Sequence, residues 1–503
     1  MIKDNYYISS FFWSTTAKIL NAIVGFISVP LLLGYYGKTG YGLLSIATAC
    51  NGYMHLLDLG MNVGAVKFYS QWKVEGCCDK IFRVARTNIT FYLVIALINI
   101  LLLLSIAFWC EDLFAVTHEQ FLQLRKCLCV IALFCVFSWV TTVFNQLLVA
   151  DKQMVFTMKV QGLQAVLKMV AVGLVFVANL TLTEYFFWVT AFVAMAFLPY
   201  AYKCKKNKLI DSFKPSWYWN DFKVVFIFSL SIFALSLFQV TATQSRPILL
   251  SIFASNGASA VADFRIIEVI PQLIIMIGGT FSGIFLPKTS EMVAKNDNKA
   301  MRDFAYKWTT YTTVIVAIMC FPFILCASEA LSAYVGKEYA HLAKWLILWC
   351  VTVLVQMHTT PGNALVLAKG ETKLLVKVTS IACVASMFIN VFLCGYIEVG
   401  SAIVAYFLYV LIIVGLYYVS FYKKLLHLSR FKLFKSFFVP TLIAFMVFVI
   451  VRFIPVTVEM FGSMNERVAY IAVCAVKSLI WFVPYISLLY LLKIVDFRQF
   501  KAK

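Results

Sequence analysis

Charge is scarce in this chain, and negative charge scarcest. Asp and Glu number 23 in 503 residues against 43 Lys and Arg; charged residues of both signs make up 13% and hydrophobic residues 62%. So little charge excludes a soluble domain, and so much length excludes a lone membrane anchor. No phosphate-cradling Gly-x-x-x-x-Gly-Lys-Ser/Thr loop occurs, so this chain is not expected to use ATP directly. The basic residues lack the interleaved aromatics of an RNA-binding surface, so no nucleic-acid partner is expected. Fourteen cysteines are present, but Cys127 and Cys129 have no second pair at zinc spacing, and most of the others fall inside apolar runs as small fillers. All are expected to be reduced, with Cys77-Cys78 in a cytoplasmic loop, and no cofactor is expected.

What fills the chain is apolar sequence. Mean hydropathy is +0.88, and fourteen runs long enough to approach a bilayer crossing can be drawn at about 8–34, 40–66, 88–109, 127–149, 156–177, 185–202, 224–253, 259–286, 309–326, 341–367, 374–394, 401–421, 436–451 and 468–492. The reading is an all-α polytopic membrane protein. With the N-terminus inside, most Lys and Arg fall on one side of alternating spans, which makes both termini cytoplasmic and the net charge of +20 a topology signal and an attraction to anionic lipid. The first run is too long for a cleavable signal peptide and has no small-residue cleavage site. The outer loops are short and carry no paired carboxylates, against a membrane glycosyltransferase or polymerase; no enzyme is expected.

The chain also aligns with itself. Pro30–Gly40 falls on Pro247–Gly257, and Lys67–Ala96 on Lys288–Ala317. Six runs separate the copies, so both enter the membrane in the same direction, as a parallel repeat. The expected organisation is an N-lobe at 1–203, a basic cytoplasmic linker at 204–223, a C-lobe at 224–421, and two further helices with a cytoplasmic tail at 422–503. Pro30, Pro247, Pro271, Pro322, Pro361 and Pro484 lie within predicted helices and offer hinges.

Polar residues inside the runs recur at helical spacing: Ser14, Lys18 and Asn21; Asn51, Asp58 and Asn62; Gln161, Gln164 and Lys168; Gln239, Thr243 and Arg246; Arg265, Glu268 and Gln272. Ionisable groups in hydrocarbon are costly and usually face a protein interior or a wet cavity, so these stripes are expected to line a route for polar cargo. Lys18, Lys168, Arg246 and Arg265 outnumber Asp58 and Glu268 by two charges. That excess suits an anion, and the mixture of guanidinium and ammonium groups suits a diphosphate. Each group also has a plainer reading. Arg265 and Glu268, one turn apart, can pair with each other; Lys18 can snorkel; Lys168 can pair with a neighbouring helix; Arg246 can meet lipid headgroups; His55 and His358 can simply be packed.

The order Tyr36-Gly37-Lys38-Thr39-Gly40-Tyr41-Gly42-Leu43, then Leu57-Asp58-Leu59-Gly60-Met61 and Ala65-Val66-Lys67-Phe68, then Phe264-Arg265-Ile266-Ile267-Glu268 before Leu286-Pro287, resembles the Wzx-type O-antigen and capsule flippases of the multidrug/oligosaccharidyl-lipid/polysaccharide superfamily. The likeness runs over about the first 380 residues. It implies two six-helix lobes in a V around a central cavity, plus two C-terminal helices. It implies an undecaprenyl-diphosphate-linked oligosaccharide as cargo, turned from the cytoplasmic to the outer leaflet of a bacterial inner membrane by alternating access. It gives Lys18, Arg246 and Arg265 the cationic cavity role, makes Asp58 either a structural cap or a coupling acid, leaves H+ or Na+ coupling open, and suggests a polysaccharide polymerase and a chain-length regulator as partners. Relatives carry an acid near the position of Arg246, a departure that puts ion coupling there in doubt. The rival within the superfamily is a drug or cation antiporter, which calls for a cleft dominated by acids.

Overall fold

The computed structural model describes residues 2–370, 373–461 and 464–494, with a few side chains inside α1, α2, α8 and α9 outside the described set. Every expected apolar run is largely helical, with breaks at 59–60, 195–196 and 358–359, and there is no β-strand among the described residues. Eleven helical stretches among the described residues are long and apolar enough to cross a membrane. The chain divides into two compact units, Met1–Ala262 and Asp263–Lys503.

The first unit holds α1 (Ile2–Met54), α2 (Met61–Val74), α3 (Cys78–Trp109), α4 (His118–Ala150), α5 (Met154–Ala178), α6 (Leu182–Ala194), α7 (Phe197–Lys206), α8 (Trp219–Phe253) and the start of α9 (Gly257–Ala294). The first predicted helix and the first part of the second lie in α1 with a kink at Gly37, whose φ of 71° and ψ of 174° are open to glycine and strained for other residues, whereas the second, expected to reach 66, stops at Met54 and resumes as α2. Capping boxes start α4, where Thr117 and Gln120 exchange bonds, and α6, where Thr181 and Glu184 do the same. α3 packs on α4, α1 on α5, and α8 on both α1 and α2. The core between them is aromatic: Tyr69, Trp72, Tyr92, Trp139, Phe144, Tyr200 and Phe222 are all buried.

The predicted linker at 204–223 lies inside this unit as a docked segment. Thr90 Oγ1 donates to Ser216 O (2.7 Å) and accepts from Ser216 N (2.9 Å), and Tyr218 N donates to Thr87 Oγ1 (2.9 Å). Arg83 pairs with Asp221 at 2.7 Å and Arg86 with Asp211 at 3.4 Å. The start of α8 is thereby fixed to the start of α3.

The second unit carries the rest of α9, then α10 (Asn298–Leu325), α11 (Ala327–Tyr334), α12 (Ala343–Met357), α13 (Thr360–Ala368), α14 (Lys373–Ile397), α15 (Val399–Leu416), α16 (Arg430–Arg452) and α17 (Glu466–Leu491). α15 runs on into a π-helical stretch at Tyr417–Leu425. α14 packs on α15, α10 on α12 and α16, and α11 on α17. Large apolar side chains are outward on both units, among them Val177, Phe388, Tyr396, Phe431 and Phe453. Apolar surface of that extent belongs against lipid.

Candidate functional site

Within the first unit a half-enclosed cavity of about 250 Å³ opens among five helices. Thr48 and Asn51 of α1 line it one turn apart, followed by His55 in the short 3₁₀ turn His55–Asp58. α3 contributes Asn99, α4 Cys135, Ser138 and Trp139, α5 Lys168, and α6 Thr190. Lys168, half-buried, has no ion-pair partner among the described residues. Asn99 is 1% exposed, and its Oδ1 has no hydrogen-bond partner among the described residues. The cavity therefore presents one ammonium group among neutral donors and acceptors, walled by Leu103, Ile131, Phe186 and Val189. Such a lining can hold an anion and hydrogen-bond hydroxyl groups beside it.

Behind its wall runs a chain of buried polar contacts. Trp139, whose ring lies 5.3 Å from that of His55, stacks on Tyr92 at 5.5 Å. Tyr92 Oη donates to Asp58 Oδ1 (2.5 Å) and accepts from Gln146 Nε2 (2.9 Å). Gln146 Oε1 accepts from Asn88 Nδ2 at 2.7 Å, which also lies 3.4 Å from the Tyr69 hydroxyl. The second oxygen of Asp58 accepts the Asn62 N–H at 3.1 Å. Asp58 thus holds the start of α2 just past a break where Leu59 (φ 53°) and Gly60 (φ 73°) are both left-handed. A Cβ at position 60 would stand 2.5 Å from Ser229 O of α8, so only glycine fits.

The structure brings together Asn51 and Lys168 from the sequence candidates. Arg265 pairs instead with Glu268, 2.6 Å away on the same helix. Arg246 is buried at 5% exposure, with its Nε donating to Ala242 O (3.2 Å). Lys18 and Gln272 are exposed on α1 and α9. Asn21 and Thr243 donate back to their own helices, at Ala17 O and Val240 O. Gln164 bonds Val193 O of α6. Gln239, Leu286 and Pro287 lie outside the described residues. His358 is packed, stacked on Phe437 at 4.2 Å and 3.2 Å from the Tyr418 hydroxyl. Sequence reasoning missed Asn99, Ser138, Trp139 and Thr190; Asn99, at least, offered one signal, as the sole strongly polar residue in the middle of the apolar run of α3.

The whole cavity falls within residues 8–292, the stretch matched by the family model described as polysaccharide biosynthesis protein. The chain belongs to the polysaccharide biosynthesis protein family. Solved structures share its fold. The lipid II flippase MurJ, in an inward-closed conformation, superposes with a TM-score of 0.67 at 14% identity, over 93% of this chain and 97% of that one. An inward-facing multidrug-resistance MATE family transporter of the MOP superfamily gives 0.63 at 14% identity, over 78% of this chain and 96% of that one. A MATE transporter of Vibrio cholerae gives 0.53 at 10% identity, over 84% and 99%. No curated protein sequence is significantly similar to this chain. The family's match includes every sequence candidate from Lys18 to Gln272.

Proposed function

We propose that this family member is a flippase for lipid-linked glycans, carrying undecaprenyl-diphosphate-linked repeat units from the cytoplasmic to the outer leaflet of a bacterial inner membrane for O-antigen, capsule or exopolysaccharide synthesis. The observation that carries the reading is Lys168: an ammonium without a carboxylate partner among the described residues, in a cavity whose apolar walls also carry the amides of Asn51 and Asn99 and the hydroxyls of Thr48, Ser138 and Thr190. A half-buried cation is costly unless an anion joins it. Phosphate supplies the charge, and sugar hydroxyls match Asn51, Asn99, Ser138 and Thr190. A volume of about 250 Å³ is below the roughly 300–1,000 Å³ usual for a whole ligand, so the cavity takes one phosphate or sugar ring at a time.

Lys18, Arg246 and Arg265 supply further positive charge in this proposal, with Arg265 released from Glu268 when an anion competes for it. The polyprenyl tail stays in lipid while the polar head crosses by alternating access. A negative-inside potential favours outward movement of an anion by about 2.3 kcal/mol per charge per 100 mV, with H+ or Na+ exchange as the other available drive. Both termini are cytoplasmic, and a polymerase and a chain-length regulator receive the product. An antiporter of cations would need acids at the site, whereas no carboxylate lines this cavity among the described residues. Removing the protein from its own cells tests the reading. Lipid-linked repeat units should accumulate in the cytoplasmic leaflet, beyond reach of an impermeant glycan-modifying reagent; unchanged accessibility would reject it.

A further inference from the structure

The second unit holds a larger pocket, of about 470 Å³, at the end where α10 and α16 finish and α12 begins. It is independent of the cavity around Lys168. Its charged groups are Glu329 of α11, Arg452 in the last turn of α16, and Lys477, in the middle of α17. Lys477 Nζ and Glu329 Oε1 are 2.6 Å apart, with side chains only 17% and 22% exposed. Arg452 is exposed and has no ion-pair partner among the described residues. The pocket therefore carries one unbalanced positive charge at its mouth and an internally balanced pair deeper in.

Three features define what fits. The surplus of one charge matches a singly charged anion, and a guanidinium donates to two oxygens of a phosphodiester at once. The other walls are apolar, with Ile324, Leu325 and Ile347 beside the charges, so the ligand has an apolar part adjoining its anionic one. The flanking faces of α16 and α17 are outward and apolar, with Ile450 65%, Phe453 82%, Ile471 57% and Leu479 62% exposed. Acyl chains can lie along them without leaving the bilayer. This end of α10 is opposite the end entered from the basic segment 288–307, so the pocket opens at the outer leaflet.

We propose that this pocket binds the phosphodiester headgroup of an anionic glycerophospholipid, with Arg452 holding the phosphate and the Glu329–Lys477 pair fixing the depth at which it sits. Anchored lipid there would tie α16 and α17 to the ends of α10 and α12. The test is native mass spectrometry of the full chain in detergent, titrated separately with phosphatidylglycerol, phosphatidylethanolamine and soluble glycerol 3-phosphate. The wild type should retain one phosphatidylglycerol in preference to phosphatidylethanolamine, and glycerol 3-phosphate should bind far more weakly. Arg452→Gln should weaken phosphatidylglycerol retention about ten- to hundredfold, the loss expected for a charge-assisted hydrogen bond. Arg452→Lys should recover most of it. Equal retention by wild type and Arg452→Gln would overturn the proposal, as would glycerol 3-phosphate binding as tightly as the lipid.

Discussion

Replacing Tyr92 by Phe removes one oxygen from the buried chain that joins Asp58 to Gln146. That oxygen donates to Asp58 at 2.5 Å and accepts from Gln146 at 2.9 Å. A hydrogen bond to a charged group contributes about 1.5–3 kcal/mol, and a stranded buried donor costs about 1–3 kcal/mol. Gln146 is fully buried, so no water replaces the hydroxyl. The two losses share an atom and do not simply add, which sets the expectation at about 2–4 kcal/mol. For a unit of this size each kcal/mol lowers the melting temperature by about 2–4 °C, so Tyr92→Phe should melt about 5–15 °C below wild type. Thermal unfolding of the detergent-purified protein, followed by near-ultraviolet circular dichroism, reads this directly because Trp139 stacks on the altered ring. Asp58→Asn keeps an oxygen for the Asn62 N–H and should cost less than Tyr92→Phe. The double variant should fall short of the sum by about 1–2 kcal/mol. A Tyr92→Phe protein melting within about 1 °C of wild type, or strict additivity with Asp58→Asn, would refute the view that this contact holds the break before α2.

Two further outcomes follow from the same geometry. Gly60→Ala should destabilise the protein by at least about 1–3 kcal/mol, because a side chain there meets both a left-handed backbone and the Ser229 carbonyl; thermal unfolding unchanged from wild type would contradict the packing of α8 on α2. Cys77, in the turn between α2 and α3, and Cys78, which starts α3, are exposed, so an impermeant maleimide should label them in inside-out vesicles and leave them untouched in intact spheroplasts; the reverse pattern would invert the topology.

Hydropathy alone located the long helices, because a membrane span announces itself as a long apolar run, but it missed the short α11 and merged α12 with α13. Helical spacing reached two residues of the cavity, Asn51 and Lys168, while their stripe neighbours Asp58 and Gln164 bond elsewhere, to Tyr92 and to Val193 O. It did not reach Asn99 or Ser138, whose immediate sequence neighbours are mostly apolar and which acquire meaning only when α3 and α4 bring them to the cavity with Lys168 of α5. Spacing also left Arg265 and Glu268 open between two readings that the 2.6 Å pair on one helix resolves only in geometry. The docking of 204–223 was illegible for another reason. Its key bonds join the hydroxyls of Thr87 and Thr90 to backbone groups of Ser216 and Tyr218, and backbone partners leave no mark in sequence. Gly60 was visible as part of a motif, but its necessity lies in a φ of 73° against the α8 backbone.

The central claim is movement of a lipid-linked glycan past Lys168. Purified protein in proteoliposomes, loaded with a fluorescent polyprenyl-diphosphate oligosaccharide in one leaflet, measures it directly. Wild type should transfer the lipid when an outward-favouring potential or an ion gradient is imposed. Lys168→Ala should slow transfer at least about tenfold, the loss of one charge-assisted contact, and Lys168→Arg should keep much of it. No transfer by wild type under any potential or gradient, or full transfer by a folded Lys168→Ala protein, would contradict the account.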